Sequence, residues 1–314
     1  MNIKKIGLTA LAGALVSVSA NAAELSVTGG ASIGFAGEEK QSTGNGWTMN
    51  DGITFSASAE MDNGWNVSTS MLIDSSDTAA SYGIDNRSLT IDMGDSGSLT
   101  FYGDGGSAST ALMDDTTPTA GEEAWDDVTG ATAHAYSVAS GDRDWFQYTN
   151  SSLMDGVTIK LDYNPSDGAT TIESSTSGTI TYTGIDGLTI GAGMGEDNGE
   201  APTTVDVSAF NATYAVDAFT VGWSTYEEDT SASSGDVTLT AMGLSYAVSD
   251  DLSVSVNQAT HEIQGSSDQD SFGVSASMTM GSMTLSANHN SIENVGGTSG
   301  TDRSGYALGL SFAF

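Results

Sequence analysis

Three histidines, His134, His261 and His289, are the side chains best suited to proton transfer or metal binding near neutral pH, and none stands in an H-x-x-x-H or similar ligand spacing. Serine is too abundant to be informative, but one G-x-S-x-G match runs through Gly30-Ala31-Ser32-Ile33-Gly34. A nucleophile elbow needs a sharp turn from strand into helix, whereas this match lies inside an alternating run, so it reads as strand. Gly191-Ala192-Gly193-Met194-Gly195 has no helix after it to complete a phosphate cradle. The absence of cysteine removes thiolate metal sites and disulfides. With 41 Asp and Glu against 7 Lys and Arg, a formal charge of −34, the chain offers no basic surface to nucleic acid. Carboxylates are what remain, and the densest group is Asp114, Asp115, Glu122, Glu123, Asp126 and Asp127, interleaved with Ala111-Leu112-Met113 and Trp125. Gathered at a narrow, low-dielectric passage, such groups concentrate cations and repel anions. Glu196-Asp197-Asn198 and Glu227-Glu228-Asp229 offer oxygens to a loosely bound Ca²⁺ or Mg²⁺, without EF-hand spacing. A saline habitat also makes proteins acidic throughout, and loop carboxylates also serve as a solvated face.

The elements that position these groups begin after residue 22. Lys4 and Lys5, the apolar run Ile6 to Val18 and the small-x-small site Ala20-Asn21-Ala22 form a secretory signal over residues 1–22, with an apolar stretch shorter than the ~20 residues a spanning helix needs. Residues 23–314 alternate. Tyr306, Leu308, Leu310, Phe312 and Phe314 take one face of the last segment and Gly305, Ala307, Gly309, Ser311 and Ala313 the other. Period two with one apolar and one small polar face describes a strand whose sides meet different solvents. Sixteen such segments follow one another, joined alternately by tight turns and by longer loops over residues 37–51, 75–83, 104–143, 164–176, 196–205, 227–235, 262–269 and 292–303. Pro118, Pro165 and Pro202 all fall in the longer loops, as they must if the sheet has no free edge. A soluble sandwich shares the alternation but joins its strands by Greek-key connections. The reading is therefore an all-β, 16-stranded antiparallel transmembrane β-barrel, a single domain over residues 23–314. The outward faces Gly29, Ala31, Ala57 and Ala59 are too small to gain much from lipid and suit a neighbouring subunit.

The connection over residues 104–143 is far longer than the others and needs a reason. A sixteen-strand barrel leaves an aqueous channel, and a loop folded into it would bring the acidic group to a constriction. Four features together resemble the general trimeric porins of Gram-negative outer membranes, of alphaproteobacterial type: the signal ending Ala20-Asn21-Ala22-Ala23-Glu24, the long third loop, Phe146-Gln147-Tyr148 before the strand from Val157 to Tyr163, and the closing strand Tyr306 to Phe314. The resemblance spans essentially the whole chain. It implies export by the Sec route to the outer membrane and a homotrimer of water-filled pores set among lipid and lipopolysaccharide. It also implies that Tyr306, Phe312 and Phe314 are read by the barrel-assembly machinery.

That family usually sets basic residues on the wall opposite the loop. Here the candidates are few: Arg143 and Lys160 point inward by parity, and Gln147 stands where many relatives carry arginine. Arg87 is open between two positions, outward by strict alternation with Leu89 and Ile91, or lumenal by the family pattern if a bulge intervenes. The expected function is passive diffusion of ions and small hydrophilic solutes through a cation-preferring channel, with no chemistry catalysed and no cofactor. A solute-specific channel and a non-conducting surface barrel are the alternatives.

Overall fold

A computed structural model describes residues 24–39, 46–75, 82–113, 116–132, 144–166, 173–200, 203–231 and 235–314. The secretory signal lies outside the described residues. Sixteen strands run β1 (Glu24–Glu38), β2 (Trp47–Glu60), β3 (Asn66–Ser75), β4 (Tyr82–Asp92), β5 (Ser98–Asp104), β6 (Trp145–Met154), β7 (Val157–Asn164) and β8 (Ser175–Ile185). They continue as β9 (Leu188–Glu200), β10 (Thr203–Val216), β11 (Phe219–Thr230), β12 (Val237–Ala247), β13 (Leu252–Ile263), β14 (Gln269–Met280), β15 (Met283–Glu293) and β16 (Arg303–Ala313). Each pairs antiparallel with its sequence neighbours, and β1 closes on β16 from Gly30↔Ala313 to Glu38↔Gly305. Beyond that register Gly29 and Phe314 exchange backbone hydrogen bonds of 2.7 and 2.9 Å. Closure leaves no ladder edge unpaired, the condition that lipid imposes on a sheet.

Alternation becomes sidedness. On β16 Tyr306, Leu308 and Phe312 are exposed on the outer wall, and so are Phe272, Val274 and Met280 on β14. In lipid this band is buried. Aromatic pairs mark both its margins: Phe219 and Tyr246 at 4.6 Å near the short turns, Phe35 and Trp47 at 4.8 Å near the long loops. The short turns bend through residues that tolerate positive φ. Gly187 sits at φ 73° with Ala215's carbonyl oxygen where a Cβ would lie, so any side chain there both strains the backbone and strikes the next strand.

Three expectations change at the long-loop rim, the first being the 227–235 loop, whose Glu227, Glu228 and Asp229 are paired residues of a β11 that runs to Thr230. Residues 196–205 are mostly ladder rather than loop, since β9 continues to Glu200 and β10 starts at Thr203, with Glu196 paired to Asp206. Likewise β2 begins at Trp47 within the expected 37–51 loop. Strands that rise above the lipid keep their backbone pairing but lose the need for an apolar face, so the alternation fades before the ladder ends.

The main cluster of buried apolar residues lies between the long loop and the inner wall. Ala108, Ala111, Met113 and Trp125 from the loop pack with Val207, Ala209, Tyr226, Leu239 and Ala241 from β10–β12. The loop after β5 is therefore folded inside the barrel. Leu112 stays 48% exposed while its neighbours on either side bury.

Candidate functional site: the inner loop and the wall it faces

The loop turns inward where Trp145 on β6 stacks on Tyr102 at 4.3 Å and donates its indole N–H to the Gly105 carbonyl (3.1 Å). Asp162, on the inner face of β7, then takes hold of it. Its Oδ2 accepts from the Ser109 backbone N–H (2.8 Å), the Ser109 hydroxyl (2.5 Å) and the Ser177 hydroxyl (2.8 Å). Its Oδ1 accepts from Gln147 Nε2 (2.8 Å). Burying a carboxylate is costly unless donors replace its water, and here four do.

From this hinge the loop follows the wall. Thr117 and Pro118 lie on Gly222 and Gly243, and a Cβ at Gly243 would stand 2.6 Å from the Pro118 carbonyl oxygen, so the approach needs glycine. Ala120 N–H donates to Ser255 Oγ (2.8 Å). Asn290 Nδ2 donates to the carbonyls of Glu123 (3.0 Å) and Asp126 (2.9 Å). Thr129 is held at both ends: its N–H donates to Glu38 Oε2 (3.2 Å), and its carbonyl accepts from Arg303 Nη1 (2.5 Å), which also pairs with Glu38 Oε1 (3.2 Å). Gln269 brackets Thr132, accepting from its N–H (2.8 Å) and donating to its carbonyl (2.9 Å). The loop is thus tied round the inside from β7 to β1.

This path brings three of the expected constriction carboxylates together. Glu122, Glu123 and Asp126 each offer an oxygen, all within 4.8 Å of one another, with Glu122 exposed and Glu123 buried. Asp127 turns away, in a left-handed conformation (φ 60°), to accept from Asn288 Nδ2 on β15. Asp114, Asp115 and Arg143 lie outside the described residues.

Opposite the loop the strand register sets the inner face of β1–β4: Thr28, Ser32, Asn50, Thr54, Ser70 and Ser88. Among the described residues the basic side chains are Arg87, Lys160 and Arg303, and none of them stands on that inner face. Lys160 does face inward, as expected, sharing the inner side of β7 with Asp162. Gln147 also faces inward, but as part of the Asp162 hinge.

Arg87 is on the outer wall, which corrects the lumenal alternative. It is exposed, cross-strand from Met71, and lies over Gly103 with Nη2 donating to the Gly103 carbonyl (2.9 Å). Two bulges flank it and neither turns it inward: on the β5 side Arg87 pairs with Asp104 and Ser88 with Tyr102, which makes Gly103 on β5 the extra residue, and on the β3 side the irregularity lies before it. The pairing jumps from Leu72↔Asn86 to Ile73↔Ile84, so Asp85 is the extra residue, and the switch of side falls before Arg87.

Asp162, Asn290, Gln269 and Arg303 were not singled out by sequence reasoning, and His261 was weighed there only as a proton-transfer or metal-binding side chain. Their only signal is an inward parity on otherwise small-residue strands, and nothing local says what they hold. His289 is exposed on β15, cross-strand from Val274 and Tyr306, without a catalytic partner set. The Gly30–Gly34 match lies within β1, far from any strand-to-helix turn.

A closed sixteen-strand barrel with an inward loop and a hydroxyl-lined wall defines an outer-membrane channel. The chain belongs to the Gram-negative porin family, whose pattern matches residues 7–267. Solved structures agree on the fold. An anion-selective porin from Comamonas acidovorans is 13% identical with a TM-score of 0.72, over 93% of this chain and 100% of that one. A triple mutant of the Rhodopseudomonas blastica porin is 17% identical with a TM-score of 0.70 over the same shares. OmpF of Salmonella typhi, in complex with daunomycin, is 13% identical with a TM-score of 0.71, over 92% of this chain and 97% of that one. No curated protein sequence matches this chain.

Proposed function

We propose that this porin passes small hydrophilic solutes by diffusion and prefers cations. The observation that carries the reading is the pairing of Glu122, Glu123 and Asp126 on the loop with an inner face of β1–β4 that presents hydroxyls, amides, Leu72 and the Asp74 carboxylate but no described cation. A cation about 4 Å from one carboxylate gains ~1 kcal/mol in bulk-like water and ~4 kcal/mol at an effective dielectric constant of about 20. Even the smaller figure corresponds to roughly a fivefold preference. Without cations opposite, the field across the opening has one sign instead of a transverse gradient. The Comamonas relative is anion-selective on the same fold, so the side chains on loop and wall, rather than the barrel, set the sign.

The same reading assigns export through the Sec route to residues 1–22 and barrel-assembly recognition to the closing strand with Tyr306, Phe312 and Phe314. The Phe314 ring covers Gly29, 2.9 Å from where a Cβ would be, so it also caps the seam between β1 and the chain end. The small outer residues Gly29, Ala31, Ala57 and Ala59 fit a homotrimer contact, with lipid and lipopolysaccharide round the remaining wall. Diffusion through such an opening needs no cofactor, and any Ca²⁺ or Mg²⁺ at the rim carboxylates is loosely held. Reconstitution in planar bilayers tests the reading: ohmic steps with K⁺ preferred over Cl⁻ support it. Saturation by one solute would mark a solute-specific channel, and silence a surface barrel.

A further inference from the structure

The outer wall of β7–β10 carries a groove of about 740 Å³. Small residues, Gly178 on β8 and Ala192 on β9, make its floor, and the exposed side chains of Leu161, Ile180 and Met194 rise round it. Ser177 meets Asp162 inside the barrel, so its neighbours Thr176 and Gly178 point outward. The register carries that outward side across to Met194, Glu196 and Asp206.

Polarity changes in steps along the groove. Ala192 lies in an apolar row between Ile180 and Phe210. Met194 stands two residues nearer the long-loop rim, and Glu196 two nearer again, in a row with Asp206 and Asp229. From Ala192 to Glu196 the strand climbs about 13 Å. Apolar surface below and charge above is the order of chain and headgroup in the leaflet that meets this rim. β9 stands half-way round the ring from β1, away from the small outer residues that fit a subunit contact, so lipid covers it.

Like charges directly opposite one another on neighbouring strands repel, and Glu196, Asp206 and Asp229 face one another in turn. Strands β8–β11 contain no lysine or arginine to separate them, and Lys160 on β7 points inward. The balancing cation must come from outside the chain. Among the described residues, the three acids whose oxygens gather as a metal ion requires are those of the inner loop. The outer acids instead stand one to a strand, on strands about 4.8 Å apart, a spacing that suits hydrogen bonds from an ammonium.

We infer that this groove seats one membrane lipid whose headgroup carries a primary ammonium: the acyl chain lies over Gly178 and Ala192, and the ammonium donates to Glu196 and Asp206. Asp229 adds charge beside it. A bare phosphate would meet only carboxylates there. The inference rests on the barrel standing in a membrane and is independent of which ions pass.

The test is native mass spectrometry of the intact protein in detergent with equal amounts of phosphatidylethanolamine and phosphatidylglycerol of the same chains, which share the phosphate and differ in the ammonium. Wild type is expected to retain at least about twofold more phosphatidylethanolamine, with or without EDTA. Glu196→Gln, Asp206→Asn and Asp229→Asn combined should retain the two lipids equally. Ala192→Phe fills the groove, leaves every carboxylate in place and should also abolish the preference. Asp250→Asn with Asp251→Asn, at the short turn between β12 and β13, removes charge from the other rim and should keep it. Equal retention by wild type overturns the inference, as does a preference that survives in either groove variant or is lost with the short-turn pair. Retention of phosphatidylglycerol that needs Mg²⁺ and ends with EDTA would assign the carboxylates to a metal-bridged phosphate and overturn it too. Conductance plays no part in the measurement, so such a failure leaves the channel reading in place, and a failed channel reading leaves this one.

Discussion

Asp162 and Ser109 are joined twice, the backbone N–H at 2.8 Å and the hydroxyl at 2.5 Å converging on one carboxylate oxygen. Fifty-three residues separate them in sequence, yet this contact decides where the loop leaves the wall. Barrel and loop are thereby separable structures: the ladders close the sheet, and a few inward side chains hold the loop against it.

Asp162→Ala should uncouple them. Four donor groups, two on Ser109 and one each on Ser177 and the half-buried Gln147, lose their acceptor, at roughly 1–3 kcal/mol for each that is buried, a cost borne by loop docking. Strand content by circular dichroism should remain that of wild type, while single-channel current becomes noisier and the loop more open to protease. A quiet, wild-type current would show that the hinge lies elsewhere.

Gly243→Leu tests the path of the loop. A side chain there occupies the position of Thr117 and Pro118 and must push the loop toward the axis. Conductance should fall, whereas the same substitution at Gly281, a short turn with open space round it, should leave conductance near wild type. Equal conductance for the two variants would argue against a loop lying on β12.

Arg87 and Lys160 should respond in opposite ways to loss of charge. Arg87→Gln lies on the outer wall and should leave the K⁺/Cl⁻ reversal potential unchanged. Lys160→Gln removes an inward cation and should shift the potential toward stronger K⁺ preference. A shift with Arg87→Gln alone would place that side chain in the pore.

The barrel was legible because lipid and water write a period of two into each strand, and glycine-bearing turns punctuate it. It faded where neither solvent pressure applies. Glu196 and Asp197 look like loop residues, yet they sit on a ladder that has risen past the lipid. Arg87 could not be placed because its side depends on whether a bulge falls before or after it, and Asp85 gives no local sign of being the extra residue. The acidic content of the loop was visible, but its arrangement was not. Asp127 and Glu123 differ in role through Asn288 and Asn290, more than 160 residues away. Contacts of that range follow from topology and leave no mark on local pattern.

Salt should weaken the preference without changing the pore. Screening shortens the reach of a charge from about 30 Å at 0.01 M to about 3 Å at 1 M. K⁺ preference is expected to decline steadily over that range, while current scaled to bulk conductivity stays nearly constant at the high end. Selectivity that persists undiminished at 1 M would point to direct coordination of the ion.

The central claim is that one-signed charge on the inner loop governs which ions pass. Its most direct measurement is the reversal potential in a KCl gradient for wild type and for Glu122→Gln, Glu123→Gln and Asp126→Asn combined. The account predicts K⁺ preference in the wild type and a shift of the combined variant toward the ratio of free diffusion, at similar conductance. An unchanged reversal potential, or Cl⁻ preference in the wild type, would contradict it.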